Sequence, residues 1–435
     1  MRPVPTRSRR ATAAAALAVS AALVLAGCGG GDDAESPFTP PKGDDSSASA
    51  LGFPVVATRN TTRTGTKDPV DAAAAVARAA YPDGSEASRA KAVTIVDDQD
   101  WRTALAATSL AAPPIGAPLL FSDGAKLPDA TVSAIDALKP SGSDAAGKAQ
   151  AVLVGKVGRP SGLRTDAIEG ADPYELARAI DRYTTQARGR SSDRVLVVSA
   201  DRPEYAVPAA AWLAKSGDPL AFVTSKGIPP ATARQLASHP KATIYVLGPS
   251  AVVRPSVTKQ LRKYGTVKRV GGVSPTDNAI GFARYKDGSF GWNVNQPGHG
   301  FLIARDTDTL GAISLAPFAA SGLHGPLLLL DSSDQLSVPV REYLRDVKQG
   351  YYPDDPTLDA TAVARYNRAW LTGDVSQISA KVQAQIDTLL ELAPVDDSPS
   401  GGDDGLPRDG SGTTTAPKST TKAPATTTTP TPKAP

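Results

Sequence analysis

The sequence predicts an α/β fold built as three tandem Rossmann-like units with parallel sheets. Three observations predict it. A short apolar run recurs as Ala92–Val96, Val195–Val198 and Phe301–Ala304, each suited to a strand buried on both faces. Each run is followed by an alanine-rich segment and then by a proline leading a second apolar run. Each is preceded by the same helix-start signature, so the period is that of a supersecondary unit repeated three times.

The elements follow in the same order in every copy. Pro69, Asp71 and Ala73, then Pro173, Glu175 and Ala177, then Pro275, Asp277 and Ala279 open a helix. Proline has no amide hydrogen to lose in the first turn, and an acid there meets the positive end of the helix. The first strand comes next, then residues 103–112, 205–214 and 312–320, whose small side chains allow a helix to lie close to a sheet. Pro118 before Leu119–Leu120, Pro219 before Leu220–Val223 and Pro326 before Leu327–Leu330 start the second strand; the proline spacings are 101 and 107 residues (219 − 118 and 326 − 219). Val152–Gly155, Ile244–Gly248 and Trp370–Gly373 are the third strands. Alternation of this kind implies parallel sheets with helices on their faces. The units are set at residues 51–162, 163–268 and 269–392. The third departs twice: Gly288–Gly300, rich in Gly and Asn with Trp292, delays its first strand, and Gln349–Thr361 inserts Tyr351, Tyr352, Asp354, Asp355 and Asp359. Loops of such length carry function or disorder more often than structure.

The two ends are of another kind. Arg2, Arg7, Arg9 and Arg10 precede an uncharged apolar run, Ala11–Ala26, which is shorter than the roughly 20 residues a membrane-spanning helix needs. The run closes on Leu25-Ala26-Gly27-Cys28, which resembles a bacterial lipobox. Residues 1–27 are therefore expected to be a lipoprotein signal peptide, and Cys28, the only cysteine, the site of lipidation. A lone thiol cannot form an internal disulfide. Ser8-Arg9-Arg10 leaves the Sec and twin-arginine routes both open. Residues 28–50 read as a disordered tether and 393–435 as a disordered Pro/Thr-rich tail. The expected location is the outer face of the cytoplasmic membrane, with the chain extending into the wall.

Charge and motifs exclude several classes. The formal charge of +3 falls to about −1 once the four signal arginines are removed (3 − 4). Residues 29–50 carry five acids and one base and residues 393–435 five acids and four bases, which leaves the middle near +4 (−1 + 4 + 1). That is too little, and too unclustered, for nucleic acid. No Gly-x-Gly-x-x-Gly or Walker loop cradles a phosphate, and Gly155-Lys156-Val157-Gly158 lacks the Lys-Ser/Thr that would complete one. No Gly-x-Ser-x-Gly elbow occurs, and His239, His299 and His324 have no partner at metal-binding spacing. Asp306, Asp308 and Gly311 lack the glutamate of a calcium loop, since Pro317 stands in its place. Neither catalytic residues nor a metal nor a cofactor is expected.

The repeats resemble the cell wall-binding repeat type 2 family. The resemblance rests on Arg269-Val270-Gly271-Gly272, on Ala316-Pro317-Phe318-Ala319-Ala320, on Pro326–Leu330, and on Tyr245-Val246-Leu247-Gly248 followed by Val252, Val253 and Val257, and it spans about 59–392. It implies three Rossmann-like units around a pseudo-threefold axis that hold a surface protein to anionic wall polymers without chemistry. The family's Asp-Ala-Leu after the first strand stands here as Thr103-Ala104-Leu105, Tyr205-Ala206-Val207 and Gly311-Ala312-Ile313, so the role of that aspartate is not carried over.

Binding is expected where helix N-termini meet the C-terminal ends of parallel strands. Two exits compete there. The first-strand exits are acidic, with Asp97, Asp98 and Asp100, then Asp201 and Glu204, then Asp306 and Asp308. The third-strand exits are basic in two copies, so Lys156, Arg159, Ser250 and Arg254 are the candidate contacts for an anionic cell-wall glycopolymer. The function so read is a non-catalytic, lipid-anchored envelope protein that binds wall polymer or an envelope partner. A solute-binding lipoprotein of a transporter and a degenerate α/β enzyme are the alternatives.

Overall fold

The computed structural model describes residues 56–82, 89–351 and 366–394. The expected signal peptide, Cys28, the tether, the tail beyond residue 394 and the 349–361 insertion beyond residue 351 lie outside the described residues.

The strands are β1 (Val56–Ala57), β2 (Thr61–Arg63), β3 (Val93–Asp97), β4 (Leu119–Ser122), β5 (Ala151–Val154), β6 (Thr165–Ile168), β7 (Arg194–Ser199), β8 (Leu220–Val223), β9 (Thr243–Leu247), β10 (Thr266–Val270), β11 (Gly300–Arg305), β12 (His324–Leu330), β13 (Gly350–Tyr351), β14 (Arg368–Leu371) and β15 (Ala393–Pro394). They make three main sheets, ordered β4-β3-β5-β6, β8-β7-β9-β10 and β12-β11-β14-β2-β1, plus a ribbon of β13 and β15. All neighbours within the main sheets run parallel except β1, which is antiparallel to β2. The nine predicted strands are all present, and the first strand of each copy lies at the centre of its sheet, buried as its apolar composition requires.

Each sheet has a fourth strand that the apolar runs did not announce. β6 and β10 are edge strands with Asp166, Thr266 and Arg269 exposed, and β2 is a three-residue polar strand, Thr61-Thr62-Arg63, so no continuous hydrophobic run marks any of them. All three belong to segments that open the next repeat. β6 follows residue 163 yet completes the first sheet, β10 straddles the 268/269 boundary on the second, and β2 from the first segment joins β14 of the third. The chain is thereby closed on itself. Arg63 of β2 is fully buried and donates from Nε and Nη2 to Gln383 Oε1 at 2.8 and 2.6 Å. Gln383 lies on the last described helix, Ala380–Leu390, whose Asp387 also accepts from the Asn60 amide at 2.7 Å.

The three helix starts fall as expected. Asp68, Asp172 and Ser274 are the N-caps of α1 (Pro69–Ala80), α4 (Pro173–Arg188) and α9 (Pro275–Arg284), and each side chain accepts a backbone amide of the first turn. These helices bridge units. α4 touches both α2 (Trp101–Ala107) of the first unit and α7 (Pro230–Ala237) of the second. The alanine-rich segments form α2 with a 3-10 turn at Thr108–Ala111, α5 (Pro203–Ala206) with α6 (Ala209–Ser216), and α10 (Thr309–Ser314) with α11 (Pro317–Ala320). The 3-10 turn, α6 and α11 touch one another pairwise, as do α2, α6 and α10, which puts the three units around a pseudo-threefold axis. Alanine is needed there because any larger side chain would hold the three backbones apart.

The Gly288–Gly300 loop is fastened to the core. Phe290 stacks on Tyr245 with ring centroids 3.6 Å apart, and Trp212 meets Phe290 at 5.0 Å and Trp292 at 5.6 Å. Trp212 also donates from Nε1 to Asp218 Oδ2 at 3.0 Å. This aromatic cluster joins α6 of the second unit to the lead-in of the third.

Candidate functional site

The C-terminal ends of the strands are closed by the chain itself. In the first unit Ser122 Oγ donates to the carbonyls of Gly124 and Lys126 and accepts from the Gly158 amide at 3.0 Å, laying the loop after β5 onto the turn after β4. A Cβ on Gly158 would stand 2.8 Å from Leu127 Cγ, so only glycine lets the two loops meet. In the second unit Arg269 donates to the carbonyls of Gly248 at 2.6 Å and Val253 at 2.8 Å and to Thr258 Oγ1, while Tyr205 Oη donates to the Val273 carbonyl at 2.9 Å. In the third Arg305 spans the carbonyls of Leu330, Asp331 and Gln377.

The four predicted contacts sit on these closed ends. Lys156 and Arg159 are exposed on a helix-free loop between β5 and β6, so the helix-end amides expected beside them are not there, and Arg159 donates to Thr165 Oγ1. Ser250 is exposed, and Arg254 is the N-cap of the seven-residue helix Pro255–Leu261, with its side chain in solvent. None of the four lines the cavities described below. The acidic exits are largely spent on structure: Asp100 and Asp308 cap α2 and α10, and Asp201 accepts from the Ser225 amide at 2.8 Å. Asp98 accepts from Gln99, and burial, with Asp97, Asp123 and Asp68 nearby, pushes its carboxyl pKa up. Asp306 lies 3.6 Å from Arg305.

Apart from an open hollow of about 410 Å³ between the end of β6 and α4, lined by Ala167, Ile168, Glu169, Arg182 and Tyr183, three cavities lie at the opposite, N-terminal edges of the sheets, one at each junction between units. Between the first and second units a cavity of about 380 Å³ is lined by Pro113 and Pro114 of the first unit and by Arg188, Arg190, Asp193, Arg194 and Asp218 of the second. Between the second and third, one of about 390 Å³ is lined by Lys215 of the second and by Trp292, Gly298–Gly300, Gly322, Leu323, Gly325, Tyr366 and Arg368. Between the third and first, one of about 290 Å³ is lined by Pro317, Ala320 and Ser321 of the third and by Tyr81, Arg89, Lys91, Pro113 and Pro114 of the first. The three correspond part for part. Each takes the lead-in to a first strand, the turn between the alanine-rich helix and the second strand of the same unit, and the equivalent turn of the preceding unit.

Bases outnumber acids in all three, and two of the three linings hold no acid. The linings hold three, two and two lysines or arginines, in that order, against two, no and no acids. Arg89, Lys91, Arg190, Lys215 and Arg368 are exposed, and none of the five forms an ion pair among the described residues. Arg188 and Arg194 are held instead: Arg188 donates to the Gly217 carbonyl at 2.7 Å, and Arg194 lies 3.4 Å from Asp218. Lys215 Nζ stands 4.6 Å from the Trp292 ring centroid and 5.7 Å from that of Trp212, and burial lowers its pKa. The sequence held a signal for two of these clefts, since Arg89 and Lys91, then Arg188, Arg190 and Arg194, cluster just before a first strand.

Two histidines are structural. His239 bonds Asp181 Oδ2 through Nε2 at 2.7 Å and the Ser192 carbonyl through Nδ1 at 2.9 Å, tying α7 to α4 beneath the first-to-second cleft. Burial lowers its pKa, but the Asp181 hydrogen bond and charge outweigh that and raise it overall. Burial, with Arg368 nearby, pushes His324 down to about 4, so its ring is neutral at pH 7.

No protein-family model matches the chain. It is 26% identical over 172 residues to an amidase enhancer of Bacillus subtilis, a match that covers 40% of this chain and 22% of that one. Among solved structures it resembles Cwp6 from Clostridium difficile, with a TM-score of 0.58 at 15% identity over 75% of this chain and 48% of that one. It also resembles Cwp8 from Clostridium difficile, with a TM-score of 0.56 at 18% identity over 77% and 52%. The chain thus spans under a quarter of the curated relative and about half of each solved one. What these structures share with it is the three-unit α/β fold read from the repeats.

Proposed function

We propose that this chain is a non-catalytic envelope protein, anchored by lipid on Cys28, whose three units hold anionic cell-wall polymer in the clefts between them. The observation that carries the reading is the threefold recurrence of a junction cleft at the N-terminal edges of the sheets, each with at least one exposed base that forms no ion pair among the described residues. Local placement of cations, with little net charge behind it, supports attraction for a repeating polyanion, because several weak contacts on one chain act together. The likeness to Cwp6, Cwp8 and an amidase enhancer favours association with the cell wall. Three junction clefts, in place of one cleft between two lobes, disfavour the solute-binding alternative.

The test is co-sedimentation of the full chain with purified walls. Wild type should pellet, and the triple charge reversal Arg89→Glu, Lys91→Glu, Arg190→Glu should stay in solution with an unchanged melting curve; equal pelleting of both would sink the reading. Radiolabelled palmitate should enter wild type and not Cys28→Ala. The amidase enhancer likeness supports a second reading, contact with a wall-acting enzyme, and pull-down of an amidase by a variant that no longer binds walls would favour it.

A further inference from the structure

The three clefts share a plan but differ in chemistry. The first-to-second cleft has three arginines and no aromatic lining. The second-to-third cleft has two bases of different kind and two aromatic rings, and on its rim Tyr366 is 59% and Leu323 63% exposed. Its volume lies at the lower end of the roughly 300–1,000 Å³ of ligand pockets.

The walls are built to leave it open. A Cβ on Gly325 would lie 2.2 Å from the Trp292 ring, and one on Gly300 would lie 2.6 Å from the Leu323 carbonyl, so glycine at both positions lets the aromatic floor and the strand lead-ins meet. Asn367 Oδ1 accepts the amides of Gly298 and His299 at 2.9 and 3.0 Å and fixes that lip, while Asn367 Nδ2 donates to the Val347 carbonyl at 2.7 Å. Trp292 is 92% buried (8% exposed), yet its Nε1 has no hydrogen-bond partner. A buried donor left unsatisfied is costly, and Trp292 is one of the residues that line the cleft.

We infer that the cleft formed by Lys215, Trp292, Tyr366 and Arg368 is a subsite for a carboxylate-bearing sugar residue of the wall polymer. The inference rests on the polymer-binding reading and adds the class of residue recognised. The Arg368 fork matches a carboxylate, which accepts two parallel N–H bonds. Lys215, backed by two indoles, supplies a second positive charge, and Tyr366 and Leu323 offer an apolar wall to the carbon-hydrogen face of a pyranose. A bare phosphate uses the cations but has no need of that wall.

The experiment is isothermal titration of the full chain with trigalacturonate at fixed ionic strength, with maltotriose and inorganic phosphate as comparison probes. Wild type should bind trigalacturonate and not maltotriose. Lys215→Ala with Arg368→Ala should lose at least tenfold, Tyr366→Ala about threefold, and Arg254→Ala, exposed at the strand C-termini and outside every cleft, nothing. If the double variant loses its thermal transition, Arg368→Lys decides, since it keeps the charge and removes the fork, and it should still weaken binding. Equal affinity in wild type and Arg368→Lys, binding of maltotriose, or displacement by phosphate at equal charge overturns the inference. If trigalacturonate fails to bind while walls still pellet the protein, this subsite is wrong and wall binding stands; if both fail, both readings fall.

Discussion

The two ends of the parallel strands have been put to different uses. At the C-terminal ends many polar groups are consumed internally, although Lys156 and Arg254 stay exposed: Asp100 and Asp308 cap helices, Arg269 and Arg305 span loop carbonyls, and Ser122 stitches two turns together. At the N-terminal edges Arg89, Lys91, Arg190, Lys215 and Arg368 stand exposed and without an ion pair among the described residues, around cavities shared by two units. In an open doubly wound sheet the ligand crevice lies at the C-terminal ends, at the point where strand order reverses. On the reading proposed above, that rule yields to packing here. When three short sheets meet through their alanine-rich helices, the gaps that no single unit can fill lie at the junctions, and those open at the other edge.

Four measurements test this contrast between the edges and the junctions that create it. The largest effect is expected at Trp212, which joins the second unit to the third through Phe282, Phe290 and Trp292 and bonds Asp218. Trp212→Ala should cost about 3–5 kcal/mol in denaturant unfolding. A loss below about 1 kcal/mol would mean that the junction is not held there.

Next comes the contrast between the two edges. Arg89→Ala, Lys91→Ala and Arg190→Ala together should weaken wall binding about tenfold, or roughly 1.4 kcal/mol, and by more at low salt, since exposed charges are screened beyond roughly 10 Å at 0.1 M. Lys156→Ala, Arg159→Ala and Arg254→Ala together should leave it unchanged. Stability should stay within about 0.5 kcal/mol in both sets. The reverse pattern in a sedimentation titration would return the site to the strand C-termini.

A smaller effect is expected at Asp308, whose carboxylate accepts the Gly311 amide at 3.0 Å. Asp308→Ala should destabilise by about 1 kcal/mol, the usual worth of an N-cap, with wall binding intact. Loss of binding without loss of stability would show the acidic exit to be functional after all.

The smallest is a pH dependence. The His239 pKa is raised in the folded state by Asp181 and the Ser192 carbonyl, against the opposing effect of burial. A raised folded pKa contributes stability that is fully present below the unfolded value near 6.5 and is lost as pH rises through the folded pKa. Melting temperature should therefore fall across that window in wild type, and His239→Gln should flatten this part of the profile. An unchanged slope in the variant would exclude His239 as its source.

Much of this fold is legible residue by residue. Ala92–Val96 and its two counterparts are central strands because an unbroken apolar run has nowhere to go but a sheet covered on both faces. Asp68, Asp172 and Ser274 cap the helices that the proline-acid signature announces. β6, β10 and β2 are not legible in this way, because an edge or near-edge strand with Thr165-Asp166 or Lys268-Arg269 on it has the composition of a loop. Their identity comes from the neighbour that they pair with.

The site divides along the same line. Local sequence determined that bases precede two first strands, that glycines cluster in the lead-in to the third, and that Trp292 stands in an apolar-poor loop. Long-range packing alone brings Lys215 to the same cavity as Arg368, 153 residues later (368 − 215), and sets Pro113 and Pro114 on the border of clefts with Arg89 on one side and Arg190 on the other. The physical reason is that strand and helix preferences are set by neighbours a few residues apart, whereas a junction cleft is what remains unfilled when whole units close around an axis.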